Sequence, residues 1–145
     1  MRDAFGGIVN IVLVAIFLVI VSGILGLVVN YTKAFRMKNA VISTIEQYEG
    51  ADSCFTENGT CAKKIIAQAE NFGYHPTVLQ CSASEGYEKK YDNYGIFCVD
   101  EKDTKSGKNK VYTVITQVDI DIPIINRIMG LSIFQVHGDT RAIRK

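Results

Sequence analysis

Ile8-Val9-Asn10-Ile11-Val12-Leu13-Val14-Ala15-Ile16-Phe17-Leu18-Val19-Ile20-Val21-Ser22-Gly23-Ile24-Leu25-Gly26-Leu27-Val28-Val29 is the stretch on which the reading of this chain turns. It carries no charge, is about 22 residues long, and at about 1.5 Å per helical residue covers roughly 33 Å. A bilayer's hydrocarbon core is about 30 Å thick, so the run predicts a membrane-spanning helix. A cleavable secretory signal has a shorter apolar core, about 7 to 15 residues, with a small-x-small site behind it. Val28-Val29-Asn30-Tyr31 is a poor site of that kind, so a retained anchor is expected. A buried core helix would be apolar along one stripe, whereas this run is apolar all round.

Within the run only Asn10 and Ser22 are polar. Ser22 can bond back to its own helix carbonyls, and Asn10 can reach headgroups or a neighbouring helix. Gly23 and Gly26 are small residues that permit close helix approach, although not at G-x-x-x-G spacing. Beyond the run, Ala34, Met37, Val41, Ile45 and Tyr48 recur at helical spacing, and nothing from Asn30 to Glu49 breaks a helix. Gly50 is a natural stop. The expected organisation is a short tail (1–7), a transmembrane helix (8–29), its amphipathic continuation (30–50) and an α+β head (51–145).

All four cysteines, Cys54, Cys61, Cys81 and Cys98, follow the span. An even count in a small anchored domain suggests disulfides and an oxidising compartment. Three pairings are open. Cys54 and Cys61 bracket a polar segment containing Asn58-Gly59, a turn former, so the sequential pairing Cys54–Cys61 with Cys81–Cys98 is preferred. Zinc sites favour C-x(2–4)-C knuckles, and no two cysteines here lie that close. The cysteines argue for a head outside the cytoplasm. Lys33, Arg36 and Lys38, just after the span, argue the opposite by the positive-inside rule.

In the head, Thr60 can cap a helix over 61–72 with Ala62, Ile65, Ile66, Ala69 and Phe72 on its apolar side and Gly73 at its end. His75-Pro76 forces an extended segment, 77–81, and Ser82 to Asp92 reads as an exposed loop. Tyr94, Ile96 and Cys98 are expected on one strand face. After a turn over 103–108, Tyr112, Val114, Thr116, Val118, Ile120 and Ile122 alternate with Thr113, Gln117, Asp119 and Asp121, a half-buried strand with the latter set exposed. Pro123 ends it, and Leu131 to Val136 forms a last strand before Gly138. Such a sheet suits antiparallel pairing with one face against the long helix, an α+β fold.

The net charge of +1 points to no nucleic-acid partner. No phosphate loop, H-E-x-x-H or G-x-S-x-G occurs, so no catalytic residue, cofactor or metal is expected. Asp119 and Asp121 resemble paired carboxylates but suit solvated charges on a strand. His137 beside Gly138-Asp139 suits a turn. Asn58-Gly59-Thr60 fits a glycosylation sequon as well as a turn.

A span that runs on as an amphipathic helix into a disulfide-bonded α+β head resembles type IV pilins and pseudopilins. The segments Val111-Tyr112-Thr113-Val114-Ile115-Thr116-Gln117-Val118-Asp119-Ile120-Asp121-Ile122-Pro123 and Leu131-Ser132-Ile133-Phe134-Gln135-Val136-His137-Gly138-Asp139-Thr140-Arg141 narrow the likeness to TadE-like pseudopilins of tight-adherence pilus systems. The resemblance implies a structural subunit of a pilus or type II/IV-like secretion filament, without catalysis. Its partners would be the bilayer, other pilin-like subunits, and indirectly an assembly ATPase and platform protein; its head would lie at the cell surface. Gly6-Gly7 is the candidate processing site. Cleavage after Gly6 would put Ile11 at the fifth position, where classical pilins carry glutamate. The alternative from another class is an anchored sensor or binding module using the loop from Ser82 to Asp92. A redox enzyme would need a reactive cysteine, and there is no C-x-x-C.

Overall fold

A computed structural model describes residues 2–55, 60–76, 88–93, 96–105, 107–119 and 133–144. Helix α1 (Arg2–Gln47) is one unbroken element of 46 residues, about 69 Å long at the usual rise. Two short helices follow, α2 (Ala51–Cys54) and α3 (Thr60–Phe72). Strands β1 (Glu88–Asn93), β2 (Phe97–Asp103), β3 (Asn109–Asp119) and β4 (Ile133–Asp139) form an antiparallel sheet in that order. A short β5 (Ile143–Arg144) pairs with the start of β3. The layout is α+β, a long helix packed on a small antiparallel sheet.

Two helix ends obey the same rule. At α1, Gly50 N–H reaches Ile45 O (3.1 Å) and Glu49 N–H reaches Glu46 O (3.4 Å), which needs a left-handed residue at position 49. Glu49 takes that conformation (φ 54) and Gly50 follows at φ 145. Tyr48 therefore falls past the helix and is 37% exposed, not the last member of the buried stripe. At α3 the equivalent bonds are Tyr74 N–H to Ala69 O and Gly73 N–H to Glu70 O, and here a glycine (Gly73, φ 60) occupies the left-handed place.

Helix α1 runs antiparallel to β3. Asn30 Nδ2 donates to Asp119 O (3.2 Å) at one end, and Thr116 Oγ1 donates to Ala34 O (3.1 Å) further along. Gly50 lies against Tyr112 at the other end. Between these contacts Ala34, Met37, Val41 and Ile45 are fully buried and form the spine of the core. Against them pack Cys61, Ile65 and Ala69 of α3, Phe97 and Val99 of β2, Tyr112, Val114 and Val118 of β3, and Val136 of β4. At Gly138 of β4 helix and sheet lie too close for a side chain. A Cβ there would stand 2.6 Å from Lys38 Cδ and 3.0 Å from Ile42 Cδ1.

Four sequence expectations change. In β2 the core-facing residues are Phe97 and Val99, while Cys98 joins Ile115 in a separate cluster and Ile96 sits in a turn. The pairing Val99↔Val114 sets this register, one residue off the expected face. Part of the expected loop, Glu88 to Asp92, is the edge strand β1; charged residues are common on edges because they resist pairing with other chains. Thr113 and Gln117 are buried rather than exposed, and both are satisfied: Thr113 Oγ1 donates to Asp139 Oδ1 (2.6 Å) and Gln117 Nε2 to Asp119 Oδ1. The strand expected to close at Val136 is β4, which runs on to Asp139 and so holds His137 in a strand paired with Ile115 rather than in a turn; the short β5 follows it. The expected strand over 77–81, and Ile120 to Pro123, lie outside the described residues.

Candidate functional site: the bare helix and its junction with the head

From Ile8 to Leu25 the apolar side chains of α1 stay clear of the head's core, and most are exposed. Ile11 is 71% exposed, Leu18 61% and Leu25 59%, against 0% for Met37 on the same helix. No part of the most apolar window is buried in the protein, and the helix is long and apolar enough to cross a membrane. A core helix of a water-soluble domain would hide such a surface. A single N-terminal apolar helix with a disulfide-bonded head fits a membrane-anchored protein. Leu27 already packs against the head's core and Asn30 bonds to β3, so the bare length ends near Gly26 rather than at Val29.

Asn10 is exposed on the bare helix, and Gly6, Gly7 and Gly26 have open space where a Cβ would stand. Gly23 is half-exposed. Ser22 Oγ donates to Val19 O (2.9 Å), within its own helix. The structure thus places all the small and polar span residues where a neighbouring helix or lipid can reach them, without bringing them together in a pocket.

Cys54 and Cys61 are disulfide-bonded with Cα atoms 5.0 Å apart, joining the end of α2 to the start of α3. Cys98 is also disulfide-bonded. Cys81 and Asn58 lie outside the described residues, as does Asp121. His75 and His137 are exposed.

The segment Gly138-Asp139-Thr140-Arg141 turns out to be a corner that ties three elements. Between β4 and β5 the pairing with β3 is interrupted, and Thr140 bridges the gap. Its N–H donates to Tyr112 O (2.9 Å) while its Oγ1 accepts from Tyr112 N–H (3.0 Å). Arg141 N–H donates to Glu46 Oε1 (2.8 Å), and its guanidinium faces the same carboxylate (3.8 Å). On the other side of β3, pairing with β2 stops at Ile115, and Tyr74 takes over. Its Oη accepts from Gln117 N–H (2.8 Å) and donates to Gln117 O (3.0 Å). Burial pushes the Tyr74 hydroxyl up to about 12, with the Asp119 charge acting in the same direction and the Gln117 hydrogen bond against it. No sequence signal marks Tyr74 for this role, because its partner is backbone.

A groove at the helix–head junction also escaped sequence reading. Its volume is about 260 Å³, and Val28, Val29, Thr32, Lys33, Arg36 and Phe72 line it. Five of these share one face of α1, and the sixth comes from the end of α3.

No family model, curated protein or solved structure matches this chain.

Proposed function

We propose that this chain is a membrane-anchored, pilin-like structural subunit, of the TadE-like kind, without catalysis of its own. The observation that carries the reading is the single helix that is bare and apolar over its first half and the spine of the head over its second. A flexible tether would serve a simple anchor. A rigid continuation instead couples the head to whatever the bare half packs against, in the membrane or in a filament of like helices. The disulfides support a head on the extracytoplasmic side, since such bonds persist in oxidising compartments. The basic residues Lys33, Arg36 and Lys38 then stand on the translocated side, as a head of this size allows.

Shearing of native cells tests the proposal. The subunit is expected in the sheared, pelletable fraction, and its release should cease when the assembly ATPase of a pilus system is deleted. Protease added to intact cells should trim the head. A chain that stays wholly monomeric in the membrane with a surface-exposed head would overturn the filament reading in favour of the anchored binding module. A head protected in intact cells but cleaved after lysis would overturn the orientation.

A further inference from the structure

We propose that the groove between α1 and the end of α3 holds the head of an anionic phospholipid from the membrane that the span occupies. The polarity of the groove changes along the helix in the direction a lipid requires. Val28 and Val29, with Phe72 as a wall, form its apolar end next to the bare span, and Lys33 and Arg36 form its basic end beside the head. From position 28 to position 36 the helix rises about 12 Å, from the acyl boundary to the headgroup layer. Arginine matches a phosphate with two parallel donors and lysine adds a point charge.

Both cations are available for this. Among the described residues neither Lys33 nor Arg36 has a carboxylate partner, whereas Lys110 pairs with Glu101 and Arg141 with Glu46. The Thr32 hydroxyl is engaged with Val28 O (2.7 Å), leaving recognition to the two cations. The opposite flank of the same turns places them at the membrane surface by separate means. Tyr31 and Phe35 stack there with ring centres 6.3 Å apart, 42% and 41% exposed, and Lys38 Nζ lies 4.2 Å over the Phe35 ring. Exposed aromatics with a basic neighbour just beyond an apolar span are the usual occupants of the headgroup layer. The apolar half of the groove favours a lipid over free phosphate, which has nothing to place against Val28, Val29 and Phe72. The proposal requires only that α1 spans a membrane and is independent of filament assembly.

The full chain in neutral detergent, offered equal amounts of phosphatidylglycerol and phosphatidylcholine, provides the test through lipid adducts retained in native mass spectrometry. Wild-type chain is expected to retain phosphatidylglycerol at least fivefold over phosphatidylcholine. Lys33→Gln with Arg36→Gln should bring the ratio to about one, while Lys33→Arg with Arg36→Lys, and the distant exposed pair Lys63→Gln with Lys108→Gln, should keep it. A protease-resistant head certifies folding of each variant. Arg36→Gln alone, at an exposed position, should at least halve the ratio and replaces the double variant if that one unfolds. Equal retention of the two lipids by wild type, or an unchanged ratio in the glutamine variants, overturns the site. Displacement of the lipid by a tenfold excess of inorganic phosphate overturns the lipid as occupant.

Discussion

Removing the Tyr74 hydroxyl leaves both backbone groups of Gln117 buried without the partner they have now. Tyr74→Phe is therefore expected to destabilise the head by about 2 kcal/mol, the scale for orphaned buried polar groups. Alkaline titration supplies a second signature. The hydroxyl ionises near 10 in the unfolded chain and at about 12 in the folded one. Below pH 10 both states keep the proton; between pH 10 and 12 the unfolded chain sheds it first, so stability falls by up to about 1.4 kcal/mol per pH unit. Chemical denaturation at pH 9, 10 and 11 should show a shallower decline in Tyr74→Phe than in wild type, and identical slopes would refute the assignment. Glu49 is the opposite case, a residue whose conformation costs stability. Glu49→Gly should raise the melting temperature, by about 1 kcal/mol in stability. Gly50→Ala should lower it, because φ 145 excludes a side chain there.

Helix α1 divides into halves with different energetics, and substitutions should sort accordingly. Met37→Ala empties a fully buried place on the spine and is expected to cost the head about 2–4 kcal/mol. Ile16→Ala, at a position 56% exposed, should leave the head's melting curve in detergent unchanged. Equal effects would mean that the bare half packs on the head. The Cys54–Cys61 bridge closes a loop with a sequence separation of 7. Cys54→Ser with Cys61→Ser should cost about 2–3 kcal/mol in a denaturant melt, the chain-entropy value for so short a loop. The spine from Ala34 to Ile45 was legible in the sequence because helical periodicity is local. The face of β2 was not: its register depends on Val99 meeting Val114, a pairing remote in the chain. The edge strand β1 was hidden for a related reason, since its polar sequence acquires strand structure from β2 rather than from alternation of its own.

For the molecule as a whole, the bare half of α1 contributes nothing to the core until Leu27. A chain lacking residues 2–26 is expected to fold in water as a monomer with the Cys54–Cys61 bridge intact and the wild-type melting profile. Aggregation or loss of cooperative melting would show that the span is part of the fold. The same division governs how much of the function was legible. Absence of charge and a length matched to a bilayer are properties of the sequence, so the anchor and its continuation into an amphipathic helix could be read from it directly. So could Cys54 with Cys61, whose separation is short enough for local chain geometry to favour closure. What only the tertiary structure decided is where the bare length ends, because Asn30 bonds to a strand formed far along the chain and Leu27 packs on the core of the head. It also decided that Phe72, from the end of α3, walls the groove beside Lys33 and Arg36, a neighbour that their shared helix face does not predict. Local patterns fix what one element can bury; which elements meet depends on pairings between distant residues, and those are set only when the chain closes on itself.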